Sequence, residues 1–305
     1  MKLGIIDLGT NSLRFDIYQI QPAKSPFLLY HEKDMIRLGQ QVFTTSKLSS
    51  KSKEKTLRRL EKIKKIAEQH SVDHMLCYGT SPLREAINAQ KFMKEIQTKI
   101  GFRFQVISGK AEAKLIAKAM CHFHRTKRKT LCVDIGGGST EISLYDHKKI
   151  YFSKSLNLGA MRLQYQYLKS IPPTEAALER TRTRIIEELE KTFSAKSLFS
   201  QLSKSCEGLA SAGTMKALLT VAAHHKNILT LKELETFFQQ IRPLTLSPLK
   251  KRLKTEGKRG DILLAGTLLA IEILRFFGLH SIQVTTVGLR NGMLLDYLEK
   301  NLHEE

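Results

Sequence analysis

Asp7-Leu-Gly-Thr-Asn-Ser-Leu-Arg-Phe-Asp-Ile-Tyr18 aligns without a gap on Asp134-Ile-Gly-Gly-Gly-Ser-Thr-Glu-Ile-Ser-Leu-Tyr145, at a constant offset of 127 residues. Each copy has the same three parts. An apolar strand (3–7 and 131–134) closes on an aspartate, a turn with glycine and hydroxyl residues follows, and an alternating strand (13–20 and 141–145) leaves it. The shared Asp-x-Gly-x-x-Ser within the turn makes duplication a better account than chance similarity of two hairpins. A chain of 305 residues has the length for two such halves, each with its own core.

Outward from the first copy, the pattern predicts a strand at 27–36 and a helix at 53–69. That helix carries Leu57, Leu60, Ile63, Ile66 and Ala67 as one stripe under a cationic face. Strand 74–78, helix 83–99, strand 102–108 and helix 110–121 follow. Outward from the second copy come strand 149–156, helices near 160–169 and 174–195, strand 207–211, a helix from 214, and two more helices up to 252. Helix 261–277, strand 281–287 and a last helix at 289–302 complete the order. Strands joined by helical crossovers imply α/β domains with mostly parallel or mixed sheets covered on both faces. The basic stretch 122–129, with no apolar residue after Phe123, marks the expected boundary, giving domains 1–124 and 125–305, with the last helix able to pack back on the first.

Composition narrows the function classes. Hydrophobic residues make up 42% and charged residues 26%, which excludes disorder, and no apolar run reaches the ~20 residues of a membrane span. Asp7, Arg14 and Asp16 break what would be the core of a secretory signal. Cys77, Cys121, Cys132 and Cys206 show no metal or redox spacing and read as free thiols of a cytoplasmic protein. Fifty Lys and Arg against 29 Asp and Glu leave a net charge of +21, a surface that attracts polyanions.

The two turns suit phosphate. Glycines let an anion approach successive backbone N–H groups, and Thr10, Ser12, Ser139 and Thr140 add hydroxyl donors. Gly136-Gly137-Gly138 is the stronger cradle, since three glycines weaken a strand end unless close backbone approach is required. The aspartate closing each strand can hold Mg²⁺, which keeps waters and shares phosphate oxygens. Duplicated turns facing each other around one polyanion would make a phosphoryl-transfer arrangement.

These motifs resemble the two phosphate motifs of the exopolyphosphatase/guanosine pentaphosphate phosphohydrolase (Ppx/GppA) family, within the actin-like ATPase superfamily. Four more stretches resemble that family alone: Thr80-Ser-Pro-Leu-Arg-Glu-Ala-Ile-Asn88, Ile107-Ser-Gly-Lys-Ala-Glu-Ala-Lys-Leu-Ile116, Leu156-Asn-Leu-Gly-Ala-Met-Arg-Leu163 and Ala212-Gly-Thr-Met-Lys-Ala217. Gly288-Leu-Arg-Asn-Gly-Met293 resembles its C-terminal signature. The resemblance implies two tandem ribonuclease H-like domains with a cleft between them, in the short two-domain form, and a homodimer as in relatives. It implies Glu112 as the base that activates water, with Lys110 and Ala111 where relatives often have further acids. Asp134, Glu141 and Asp7 would hold Mg²⁺ or Mn²⁺. Thr10, Asn11, Ser12, Gly136, Gly137, Gly138, Ser139 and Thr140 would bind phosphate oxygens, and Arg84 would clamp the terminal phosphate. Gly213 and Thr214, opening a helix after a strand, form a third anion site or a plain N-cap.

The expected activity is hydrolysis of the terminal phosphoanhydride of inorganic polyphosphate. Removal of the 5′-γ-phosphate of guanosine pentaphosphate (pppGpp) is the nearest alternative. An actin-like kinase or ATPase and a non-catalytic polyphosphate-binding protein stand further off. Basic runs at 47–65, 125–129 and 250–259 read together as a track for a long anion. With no Trp, base stacking of nucleic acid has little support, and nothing points to a membrane. His122-x-His124 lies among cations that repel a metal, and His224-His225 would close a helix.

Overall fold

The computed structural model describes residues 1–22, 24–193, 206–223 and 226–301. His224, His225 and the ends of the helices expected at 174–195 and 289–302 lie outside the described residues. The chain divides into two units, Met1–Ser108 and Gly109–Glu305.

The first unit is built on a five-stranded sheet of β1 (Lys2–Leu8), β2 (Leu13–Gln19), β3 (Phe27–Asp34), β4 (His74–Gly79) and β5 (Gln105–Val106), in the order β3-β2-β1-β4-β5. β1, β2 and β3 form an antiparallel meander, and β4 joins β1 in parallel. Its helices are α1 (Val42–Thr45), α2 (Ser50–Gln69), α3 (Ser81–Glu85) and α4 (Ala89–Ile100). α2 starts where the Ser49 hydroxyl accepts from the Ser52 N–H, and it buries Leu60, Ile63 and Ala67. The helix expected over 83–99 is two helices. Ala86 is extended, and the Asn88 carboxamide bonds both the N–H and the C=O of Leu48, at 2.9 and 3.0 Å, which draws the chain out of its helical path. The strand expected over 102–108 pairs only at Gln105–Val106.

The second unit carries α5 (Gly109–Phe123), β6 (Thr130–Ile135), β7 (Thr140–Tyr145), β8 (Ile150–Leu156), α6 (Ala160–Leu163) with a wider turn over Gln164–Leu168, and α7 (Glu175–Phe193). Beyond these lie β9 (Glu207–Ser211), α8 (Ala212–Ala222), β10 (Ile228–Thr230), α9 (Leu231–Ile241), α10 (Leu246–Arg252), α11 (Gly260–Phe276), β11 (Ser281–Val284) and α12 (Leu289–Asn301). The sheet order is β10-β11-β9-β6-β7-β8. α11 is buried almost all round and forms the spine of the core, which is why its sequence is apolar on every face.

The repeat is visible residue by residue. β6-β7-β8 is again an antiparallel meander with β9 parallel to its first strand. Both meanders change register at the same place, between Ile17 and Tyr18 and between Leu144 and Tyr145. Both turns close with the same bond, Gly9 N–H to Ser12 C=O at 3.0 Å and Gly136 N–H to Ser139 C=O at 2.9 Å.

The boundary falls after Ser108 rather than at 124/125. α5 packs on β7, β8 and α12, so the helix assigned by charge pattern to the first domain belongs to the second. The close approach of Leu115 to Gly292, and of Lys118 Nζ to Glu299 at 2.5 Å, hold α12 on α5. The last helix therefore packs within the second unit. Among the described residues no helix is long and apolar enough to cross a membrane.

Candidate active site

Strand register assembles the acids of the second unit. Asp134 on β6 stands opposite Glu141 on β7, Ser211 on β9 pairs with Asp134, and Ser155 on β8 pairs with Glu141. The result is one row across four strands, Ser155–Glu141–Asp134–Ser211, with two carboxylates bracketed by two hydroxyls. Ser155 Oγ donates to Glu141 Oε1 at 2.8 Å, and Ser211 Oγ donates to Asp134 Oδ2. Like charges directly opposite in a sheet destabilise it, a cost that a bound cation would offset.

Glu112, in the first turn of α5 and only 7% exposed, adds a third carboxylate to this field. Burial pushes the Glu141 carboxyl well above the usual glutamate range, and the charges of Glu112 and Asp134 push it further. Hydroxyl hydrogen bonds from Ser155 and Ser139 pull the other way. Gly288, opening the loop into α12, also passes here. A Cβ on it would stand 3.8 Å from Asp134 Oδ2.

The glycine turn is held from behind. Gly136 C=O accepts from Ala160 N–H, and Gly137 C=O accepts from the N–H groups of Met161 and Arg162, at 2.9 to 3.1 Å. The buried Arg162 donates Nε to Gly138 C=O at 2.7 Å. With the carbonyls taken by α6, the N–H groups of Gly137, Gly138 and Ser139 donate to nothing among the described residues. Successive open N–H groups of this kind are what an anion cradle requires. Thr140 does not join it: the residue is fully buried and its hydroxyl donates to Leu158 C=O at 2.8 Å, so it anchors the turn.

In the first unit the turn at Thr10, Asn11 and Ser12 is buried and likewise tied by its carbonyls, with Gly39 N–H on Thr10 and Arg37 N–H on Asn11. The buried Asn11 Oδ1 has no hydrogen-bond partner among the described residues. The charge pattern differs from the second copy. Opposite Asp7 stands Arg14, with its Nη1 3.4 Å from the carboxylate, where Glu141 stands opposite Asp134. Asp7, expected as a third metal ligand, is already ion-paired. Arg84 ends α3 and donates Nη1 to Ile107 C=O at 3.0 Å, and is half-buried.

At the start of α8, Ser211 is the N-cap residue, yet its hydroxyl goes to Asp134 instead of capping. Ala212 follows with φ at 67°, a left-handed conformation that is strained for alanine. Gly213 lies under the buried Arg259 guanidinium, whose Nη1 would be 2.5 Å from a Cβ at this position, and Thr214 is buried. Sequence reading missed Ser155, Ser211, Arg162 and Arg14. The first two directly precede quoted motifs, but only strand order and register give them a role.

The fit to a metal rests on the acid pair. No group of three or more His, Cys, Asp or Glu side chains suited to one ion occurs among the described residues. Two facing carboxylates, one of them hard to ionise, match Mg²⁺, which takes one or two carboxylates and completes its shell with water and phosphate oxygens.

Comparison with known proteins places the chain in a family. The model of the Ppx/GppA phosphatase family matches residues 17–301. The chain belongs to that family. It is 27% identical to the bifunctional 3-dehydroquinate synthase/phosphatase of Fusobacterium nucleatum over 96% of this chain, spanning only 46% of that protein's length. It is 26% identical to exopolyphosphatase 1 of Mycobacterium leprae, covering 98% of this chain and 90% of that one. It is also 26% identical to the guanosine-5′-triphosphate,3′-diphosphate pyrophosphatase of Photobacterium profundum, over 98% of this chain and 60% of that one. Among solved structures, the Aquifex aeolicus Ppx/GppA family member aligns at a TM-score of 0.74 with 26% identity, covering 99% of both chains. An exopolyphosphatase-like protein aligns at 0.89 with 23% identity, covering 99% of this chain and 98% of that one. The Ppx/GppA member thus has the α/β actin-like architecture, with one ribonuclease H-like sheet in each half.

Proposed function

We propose that this Ppx/GppA member is an exopolyphosphatase that hydrolyses the terminal phosphoanhydride of inorganic polyphosphate. The observation that carries the reading is the row Ser155–Glu141–Asp134–Ser211, with Glu112 in its field and unpartnered turn amides beside it. A multiply charged anion needs both a donor cradle and acids that can hold a cation. This unit supplies both.

Water attacks the terminal phosphorus, the bridging P–O bond breaks, and orthophosphate leaves together with a chain one phosphate shorter. Glu112 orients the water and takes its proton. The N–H groups of Gly137, Gly138 and Ser139 hold non-bridging oxygens, with Gly136 fixing the turn. Asp134 and Glu141 would hold Mg²⁺, and Ser211 and Ser155 keep their carboxylates aimed. When bound, the ion offsets charge on the phosphate oxygens. Thr10, Asn11 and Ser12 form the corresponding anion-binding turn of the first unit. Arg84, anchored by Nη1 on Ile107 C=O, is the guanidinium of the first unit that would meet a phosphate. At the start of α8, Gly213 and Thr214 with Arg259 form a further anion contact.

The test is orthophosphate release by purified protein from polyphosphate, with and without Mg²⁺, for wild type and Glu112→Gln. A fall of about 10³-fold in kcat, on the order of what a general base contributes, is expected. Full activity in the variant would overturn the mechanism and leave the fold standing. The Photobacterium relative favours pppGpp as the second reading. Comparing phosphate release from long polyphosphate and from pppGpp separates the two.

A further inference from the structure

The end of the second sheet opposite the glycine turn carries a second concentration of charge. β6 enters from the loop 124–129, and the β7–β8 turn spans Asp146–Lys149. The two loops touch, His147 N–H donating to Thr126 C=O at 2.8 Å. Together they bring Arg125, Lys127, Arg128, Lys129, Lys148 and Lys149 to one edge, and all but Lys129 are exposed. Asp146 and Glu207 are the acids facing them, the latter paired to Arg128 at 3.0 Å. Asp146 is held inward: Oδ1 accepts from the N–H groups of Lys148 and Lys149, and Oδ2 accepts from Tyr151 OH at 2.7 Å. The acid therefore shapes the turn.

Lys129 and Lys149 are positioned by an aromatic ring. Their Nζ atoms lie 5.0 and 4.8 Å from the Tyr151 ring centroid. The ring thus fixes two of the cations at this edge, beside the exposed Arg125, Lys127, Arg128 and Lys148. We propose that this edge is an exosite for inorganic polyphosphate, holding the chain remote from the end being hydrolysed. The proposal rests on the exopolyphosphatase reading for its ligand. Four residues of β6, Thr130 to Val133, separate Lys129 from Asp134, roughly 16–17 Å of strand. Only a long chain can engage both, and a short one uses the acid end alone. The Tyr151 ring is engaged by ammonium groups and offers no base-stacking platform, which favours a bare phosphate chain over nucleic acid.

The experiment uses Arg125→Glu/Lys127→Glu/Lys148→Glu/Lys149→Glu, with the milder Lys148→Gln/Lys149→Gln as a second variant. Thermal melts of both confirm folding. Binding of fluorescently tagged long-chain polyphosphate is measured in the Glu112→Gln background, so the result does not depend on turnover. The expected result is at least tenfold weaker binding in the quadruple variant, a smaller loss in the double variant, and a shallower dependence on salt. With Glu112 intact, tripolyphosphate hydrolysis should stay within twofold of wild type. Unchanged binding of the long chain overturns the exosite, as does a parallel fall in tripolyphosphate hydrolysis. Displacement of the chain by single-stranded RNA at lower concentration than by unlabelled polyphosphate also overturns it, assigning the edge to nucleic acid. None of these outcomes is shared with failure of the catalytic reading, which shows as hydrolysis persisting in Glu112→Gln.

Discussion

Glu141 is the residue where folding and function pull apart. In the unfolded chain it ionises near an ordinary glutamate value of ~4.3. In the folded unit, burial and the charges of Glu112 and Asp134 raise it well above that. Because the folded value is raised, the folded state meets no penalty from Glu141 below the unfolded pKa. The penalty grows as pH rises and is complete above the folded pKa. Glu141→Gln removes it while keeping an acceptor for Ser155. In chelator at pH 8, Glu141→Gln should therefore melt at least ~2 °C above wild type, given roughly 2–4 °C per kcal/mol for a unit of this size. The gain should shrink toward nothing by about pH 4, the unfolded range. Millimolar Mg²⁺ should raise the melting temperature of wild type and leave the variant almost unmoved. A variant less stable than wild type at pH 8 without divalent ions would remove the electrostatic basis of the metal assignment. Asp134 was legible from the repeat, and Glu141 only from the family resemblance, since the repeat sets it against Arg14. The hydroxyls that aim them were not, because Ser155 and Ser211 meet them only through strand register.

The glycine turn and α6 act as one element. Gly159 is extended rather than left-handed, so any residue fits its backbone, but not its space. A Cβ there would stand 2.5 Å from Gly137 O and 2.6 Å from Gly138 C. Gly159→Ala must push the turn off the helix that holds its carbonyls, and a shift of about 1 Å in a cradle costs on the order of 10²-fold in rate. Gly278 provides the contrast. Its φ is +66° with nothing within 4 Å, so Gly278→Ala strains the backbone without touching the turn. It should cost ~1–2 kcal/mol of stability and leave kcat unchanged. Equal kcat in Gly159→Ala and wild type would show that the turn amides are not positioned by α6. At this scale the sequence reading placed the duplicated meanders and the helix over 53–69, while the strand expected over 102–108 shrank to Gln105–Val106. It joined α3 to α4 because Asn88 is bound by Leu48, forty residues earlier in the chain, and no local pattern reports that contact. The domain boundary was misplaced for a related reason. Charge marked an exposed loop after α5, whereas packing on β7, β8 and α12 decides where the helix belongs.

At the scale of the whole molecule the decisive quantity is the net charge of +21. A polyphosphate chain carries condensed counterions, and each cationic contact releases some of them, so binding weakens as salt rises. Local ion pairs do not cancel this surface, because many of the acids are already paired within it, as Glu54 is with Arg58 and Glu95 with Lys99. On the exopolyphosphatase reading the charge should act on capture and leave the chemical step alone, since screening at the surface reaches the buried acid row much less. For long-chain polyphosphate, kcat/KM should therefore fall about tenfold between 50 and 200 mM salt, the loss expected for two net contacts. The kcat at saturating substrate should hold within a factor of two. For tripolyphosphate, which cannot reach both ends of the second sheet, the fall in kcat/KM should be smaller. If kcat falls in step with kcat/KM, salt is acting on the site itself, and the surface charge has no separate role in substrate capture.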